Sequence, residues 1–181
     1  MLLNRNTSCC LLIDVQEKLT PLVLRSEVMV ERCAWVMQLA RALDVPVMIS
    51  EHYTKGLGHT VAVLKSLVSD SPKIDKVHFS CYQDPLFHKE WQAIDKKQAV
   101  LLGIETHVCV LQTALDLHEA GVEVFVVADA VSSRKELDHH AALKRMAHLG
   151  IQLVTSEMVF FEWLKQAGTL EFKTLSKQFI R

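Results

Sequence analysis

Leu101-Leu102-Gly103-Ile104-Glu105-Thr106-His107-Val108-Cys109-Val110-Leu111 begins as an apolar strand, passes through a short polar turn and delivers one thiol to the expected start of a helix. A fully apolar strand followed at once by a helix is the unit from which parallel sheets with helical cover are built. At such a turn side chains face the crevice at the carboxyl edge of the sheet, where helix N–H groups and the helix dipole favour a thiolate. Cys109 is therefore a candidate nucleophile. The plainer reading is a small apolar residue packed under the helix, the usual fate of a free cysteine.

The same alternation extends in both directions from this stretch. Cys9 to Ile13 reads as a buried strand that ends in Asp14. A helix over 27–43 follows, with Met29, Cys33, Val36, Ala40 and Leu43 on one face, then a strand over Val47 to Ser50. A loop over 51–60 leads to a helix from Val61 to Val68 and an extended segment from Lys73 to Phe79. Asp84-Pro85 has the form of an N-cap with proline at the first helical position, opening a helix to about Ile94. After the central strand Ala99 to Ile104, the helix carrying Val110, Leu111, Ala114, Leu115 and His118 closes at Gly121. A strand from Val122 to Ala128 is expected to stop at Asp129. A helix from Leu137 to Leu149, a strand from Ile151 to Thr155 and a helix capped by Ser156 and running to Leu164 come next. In the final helix Phe172, Leu175 and Phe179 recur at helical spacing, which suits docking on its own domain and burial against a second subunit equally well. One domain over 1–181 is expected, a doubly wound α/β fold.

Composition narrows the function classes. Half of the 181 residues are hydrophobic, and the net charge of -1 with a pI near 6.7 provides no basic field for nucleic acid. Asn4, Arg5 and Asn6 interrupt the apolar start, and no run approaches the length of a membrane span. Five cysteines, two of them adjacent at Cys9 and Cys10, argue for reduced thiols over a disulfide framework. A cytoplasmic protein with no nucleic-acid or membrane partner is the expectation.

Asp14 after the first strand, Lys76 before Phe79-Ser80, and Cys109 after the central strand all fall near one sheet edge. In a doubly wound sheet such ends converge on one crevice. An acid, an ammonium and a thiol in contact make a nucleophilic site in which the ammonium lowers the thiol pKa and the carboxylate takes its proton. Taken singly, Asp14 also reads as a helix cap and Lys76 as a solvated surface charge.

Leu11-Leu12-Ile13-Asp14-Val15-Gln16, Asp75-Lys76-Val77-His78-Phe79-Ser80, Gly103-Ile104-Glu105-Thr106-His107-Val108-Cys109-Val110 and Val126-Val127-Ala128-Asp129-Ala130 together resemble the isochorismatase-like cysteine hydrolases, a family that includes nicotinamidases and N-carbamoylsarcosine amidohydrolase. The resemblance spans nearly the whole chain. It implies a three-layer α/β/α sandwich around a six-stranded, mostly parallel sheet, a catalytic triad of Asp14, Lys76 and Cys109, and a cis peptide between Ile104 and Glu105. It further implies attack by Cys109 on a small-molecule C–N bond of amide or carbamoyl type through a thioester, with the backbone N–H groups of Glu105 and Cys109 receiving the oxyanion. Phe79, Tyr82, Phe87 and His107 are candidate pocket residues, with core packing the commoner role for any one of the three aromatics. A homo-oligomer is the implied assembly.

Departures from the family pattern refine this. Metal-binding members carry an aspartate and, two residues on, a histidine; here the pair is Ser50 and His52, so no metal and no cofactor are expected, and Glu51, His52 and His59 read as loop residues, with a metal held by these three as the minor alternative. The loop over 53–60 resembles that of smaller metal-free members of unassigned substrate. Cys109 sets the chain apart from true isochorismatases, which lack the nucleophilic cysteine. Two other readings stay open: a non-catalytic oligomeric binding protein on the same fold, and a redox-sensitive thiol protein, for which Cys81 would be the resolving partner.

Overall fold

Six strands, all parallel, lie in the order β3-β2-β1-β4-β5-β6 in a computed structural model that describes residues 1–67 and 71–180. They are β1 (Ser8–Ile13), β2 (Val47–His52), β3 (Lys73–Lys76), β4 (Gln98–Ile104), β5 (Glu123–Ser132) and β6 (Gln152–Val154). Every residue of β1 and β4 is buried, because both faces of the sheet are covered. Alternate residues supply the two cores. Cys10, Leu12, Val100 and Leu102 meet α1 (Ser26–Ala42), α7 (Ser156–Leu164) and α8 (Leu170–Phe179) on one face. Cys9, Leu11, Ala99 and Leu101 meet α4 (Pro85–Ile94), α5 (Leu111–Glu119) and α6 (Glu136–His148) on the other. The short helices α2 (Thr54–Leu57) and α3 (Ala62–Lys65) lie in the connection from β2 to β3. The expected α/β/α sandwich is therefore present, with a sheet that is wholly rather than mostly parallel.

Chain order runs outward from β1 in one direction and from β4 in the other, so the gap between their carboxyl ends is a topological switch point, where such folds bind ligands. Ile13 lies in register with both Ser50 and Gly103, which places Asp14 at that gap. Gly103 has φ +110, and a Cβ there would strike the Ile13 carbonyl, so only glycine lets β4 approach β1 this closely.

The boundaries differ from expectation at several places: β2 runs two residues further, to His52, and β3 ends at Lys76, three residues short of Phe79. Strand β5 does not stop at Asp129 but continues to Ser132, its pairing slipping from Leu101 opposite Val126 to Gly103 opposite Val131. Irregular pairing absorbs the charged residue at the edge of the ladder. Asp129 then accepts hydrogen bonds from the Ser156 backbone at 2.8 Å and hydroxyl at 2.6 Å. That bond occupies Ser156, and Thr155 caps α7 instead, accepting from the Met158 N–H at 3.3 Å. The helix expected over 61–68 is the single turn of α3, and Val68 lies outside the described residues. Asp84 caps α4 as its sequence predicts, accepting from Leu86 and Phe87 N–H groups at 2.9 and 3.3 Å. The apolar face of α8 docks on its own chain: Phe179 meets Trp35 edge to face at 5.2 Å, and Phe172 packs against Phe160 and Phe161.

Candidate active site

Asp14 follows β1 in the left-handed region, φ 53, a conformation that non-glycine residues hold only where their surroundings insist. Its N–H donates to the Ser50 carbonyl at 3.0 Å, which turns the side chain toward the strand ends. Lys76 closes β3, and its Nζ donates to Asp14 Oδ2 at 2.7 Å and to the His78 carbonyl at 3.2 Å. Both residues are fully buried. The second Asp14 oxygen accepts the Ser50 hydroxyl at 2.7 Å. Burial by itself pulls the Lys76 ammonium down, but the Asp14 charge, with the Cys81 and Cys109 thiols beside it, more than offsets this and raises its pKa.

Cys109 lies two residues before the α-helix proper, inside the turn that precedes it. The peptide between Ile104 and Glu105 is cis, and Thr106–Val110 forms a π-helical turn, with the Val110 N–H donating to the Glu105 carbonyl at 3.2 Å, before α5 begins at Leu111. Such turns recur at functional sites. A single Cys109 sulfur, a His52 ring nitrogen and an Asp14 oxygen all lie within 4.8 Å of one another. The thiol pKa is pushed up, first by burial and then by the Asp14 charge and hydrogen bond, against the downward pull of Lys76. This reverses the expectation that ammonium and helix dipole yield a low-pKa thiol: at 7% exposure desolvation outweighs them. At rest the site holds a protonated thiol beside a carboxylate and an ammonium.

The other predicted residues separate into two groups. Glu105 and His107 flank the turn: the Glu105 carboxylate accepts the Arg134 N–H at 2.9 Å and Nε at 3.1 Å, and His107 Nδ1 bonds Ser133 Oγ at 3.0 Å. Phe79 is half exposed and stacks on His52, ring centroids 5.5 Å apart. Tyr82 packs edge-on against His88 and Phe87. Phe87 is not a pocket wall. It is fully buried and stacks on Trp91 at 6.2 Å, because the Asp84 cap starts α4 in a phase that turns Phe87 into the core.

Sequence reading passed over three residues. Ser50, a departure from the metal-binding pattern, holds Asp14 through its hydroxyl. Gln16 holds His52 from both sides, accepting its N–H at 2.6 Å and donating to its carbonyl at 3.0 Å. His52, read as a loop residue, closes β2 and brings Nδ1 to 3.5 Å from Lys76 Nζ. The signal for it was its place directly after the second strand, whose end the pattern set two residues too early. Glu51, His52 and His59 do not converge. Glu51 turns to the Thr60 N–H and hydroxyl, both at 2.7 Å, and to His59 Nδ1 at 3.0 Å, while the His52 ring points to the triad. Asp14, His52 and Cys109 have donor atoms near enough to share a cation, but the Lys76 ammonium already stands against Asp14 and His52 there. A cavity of about 360 Å³ between α1, the end of β5 and α6 is lined by Arg25, Asp129, Glu136 and His139 and by none of the three triad residues.

Residues 8–158 match the isochorismatase domain. The chain is 41% identical over 172 residues to isochorismatase domain-containing protein 2 of Rattus norvegicus, covering 94% of this chain and 80% of that one. Among solved structures, a protein from Caenorhabditis elegans described as MAR1 ribonuclease superposes with a TM-score of 0.93 at 35% identity, over 100% of this chain and 93% of the other. The YcaC gene product of Escherichia coli, described as an octameric hydrolase of unknown specificity, superposes with a TM-score of 0.92 at 30% identity, over 99% and 91%.

Proposed function

The chain belongs to the isochorismatase family, a membership that implies a hydrolase, and from that premise we propose that it cleaves a small-molecule C–N bond of amide or carbamoyl type through Cys109, Asp14 and Lys76. The observation that carries the reading is the meeting of a thiol, a carboxylate and an ammonium at the switch point of the sheet.

Asp14 takes the Cys109 proton as Sγ attacks the substrate carbonyl carbon, so that a C–S bond forms and the carbonyl electrons move onto oxygen. The raised thiol pKa makes this transfer concerted with attack, and Lys76 compensates the negative charge on whichever of Asp14 or Sγ carries it. Backbone N–H groups of Glu105 and Cys109 receive the oxyanion. Collapse breaks the C–N bond, and the nitrogen leaves with one proton, matching the one taken from the thiol. Water then adds to the thioester, the C–S bond breaks, the acid departs and a proton returns to Sγ.

Charge argues against RNA as substrate. The net charge is -1, and the reactive thiol is 7% exposed, a poor fit to a phosphodiester chain. The redox reading is weakened by Cys81, which is fully buried and pushed up to about 11 by desolvation. A homo-oligomer accords with the octamer of the Escherichia coli relative and with Leu22, Val28 and Leu137, apolar side chains more than half exposed. No helix among the described residues is long and apolar enough to cross a membrane.

The test is incubation with p-nitrophenyl acetate, an activated acyl donor, followed by peptide mass spectrometry, together with ammonia release from a panel of primary amides and N-carbamoyl compounds. Acetyl-Cys109 in the wild type, and loss of both adduct and ammonia release in Cys109→Ala, are expected. Undiminished turnover in Cys109→Ala would end the proposal.

A further inference from the structure

The thioester route just described leaves one proton without a path. Asp14 is fully buried, with one oxygen on the Ser50 hydroxyl and the other on Lys76 Nζ, and its remaining hydrogen bond goes to the Cys109 thiol, so it offers no solvent-side route to a leaving group. Lys76 is equally buried. His52 differs from both: its ring is partly exposed, touches Lys76 through Nδ1 at 3.5 Å, and sets a nitrogen within 4.8 Å of Cys109 Sγ.

Resting on that route, we propose that His52 is a further catalytic residue, a two-nitrogen relay carrying protons between the buried Asp14–Lys76 pair and the leaving group or water at Cys109. An ammonium has no lone pair, so the Nδ1 that faces Nζ is the bare nitrogen and Nε2 carries the hydrogen. During acylation Asp14 keeps the thiol proton, Lys76 passes one of its own to Nδ1 and is left a neutral amine whose lone pair faces the new N–H, and Nε2 releases its proton to the departing nitrogen. The imidazole ends neutral, with its hydrogen on Nδ1. In deacylation Nε2 takes a proton from the attacking water, Nδ1 returns one to the Lys76 amine, and Asp14 gives its proton back to Sγ. No proton is created or lost, and no group other than water and substrate is consumed.

The surroundings suit the task. Phe79 stacks on the ring and Gln16 holds the backbone on both sides, which fixes the plane of the imidazole. Burial and then the Lys76 charge lower the His52 pKa, opposed by Asp14, the His78 carbonyl and Asp75, so the ring stays neutral near pH 7 and can both accept and give.

The experiment compares Cys109 acylation by p-nitrophenyl acetate, whose leaving group departs as an anion, with acylation by phenyl acetate, whose poorer leaving group gains from a proton. In His52→Gln, phenyl acetate should lose about tenfold more rate than p-nitrophenyl acetate, and steady-state deacylation should fall by about 100-fold, the scale of one acid–base catalyst. Added imidazole should restore deacylation in His52→Ala. Equal losses for the two esters without imidazole rescue, or no loss at all, would overturn the relay while leaving the nucleophile intact. A wild type that forms no acyl-Cys109 would overturn the thioester route itself, and the relay with it. Should either variant fold poorly by thermal melting, a Phe79→Ala variant, which only frees the ring, should show the same ester-dependent loss in weaker form; equal losses there overturn the relay too.

Discussion

Lys76 Nζ stands 2.7 Å from Asp14 Oδ2, and both side chains are shut off from solvent. Desolvation cancels much of the attraction in such a pair, so it is a poor source of stability. What it supplies is an ammonium and a carboxylate held in fixed positions beside the buried Cys109 thiol.

The first consequence concerns Cys109. With its pKa raised by burial and by Asp14, the thiol should react with iodoacetamide more slowly than free cysteine at pH 7 to 8, and its rate should keep rising with pH beyond the ordinary value of 9.0, where a free thiol levels off. In Asp14→Asn the opposing charge is gone and Lys76 takes the thiolate as counter-ion, so labelling at pH 8 should become severalfold faster while acyl turnover is lost. Peptide mass spectrometry of the labelled cysteine reads both. Rapid labelling of the wild type below pH 7 would contradict the buried, protonated thiol.

Ser50 supports Asp14 through one buried hydrogen bond. Ser50→Ala leaves a buried carboxylate oxygen short of a donor, which costs about 1–3 kcal/mol in urea unfolding. It should also slow Cys109 acylation by p-nitrophenyl acetate. Unchanged stability and unchanged acylation together would remove Ser50 from the site.

Phe79 and Phe87 should behave oppositely. Phe87→Ala opens a core cavity and should cost about 3–5 kcal/mol with little specific effect on acylation per folded molecule. Phe79→Ala, at a half-exposed position, should change stability by only about 0.5 kcal/mol but reduce acylation by releasing the His52 ring. Paired urea unfolding and ester kinetics decide; the reverse ranking would return Phe87 to the pocket.

Alkali should destabilise the protein steeply. Cys9, Cys10, Cys33, Cys81 and Cys109 all have native pKa values raised above 9.0, chiefly by burial. Above pH 9.0 the unfolded chain therefore sheds thiol protons that the native state keeps, and stability falls at about 1.4 kcal/mol per pH unit for each thiol. Lys76 acts in the same direction: its contribution is complete below the ordinary lysine value of 10.5 and is lost as pH rises through its higher native value. Urea titrations under reducing conditions from pH 7 to 10.5 should show a plateau and then a drop beginning near 9. A flat profile would mean that the thiols are not buried as described.

The alternation of apolar strands with helices, the Asp84 cap, and the placing of Asp14 just after β1 and of Cys109 in the turn that follows β4 are all legible in the amino-acid sequence. Each depends on contacts within a few residues or on burial of a continuous apolar run, and these local patterns survive in any context the sheet provides. Tertiary structure alone decided the rest. It continued β5 past Asp129, because pairing with β4 is an interaction between distant segments, and it turned Phe87 inward through the phase of α4. It brought Ser50 and His52, 36 and 38 residues beyond Asp14 in the numbering, to the two sides of one buried ion pair. Above all it set the charge of Cys109: a helix start argues for a thiolate, but a proton stays on sulfur when burial and a neighbouring carboxylate together outweigh one ammonium, and that balance exists only once the chain has folded.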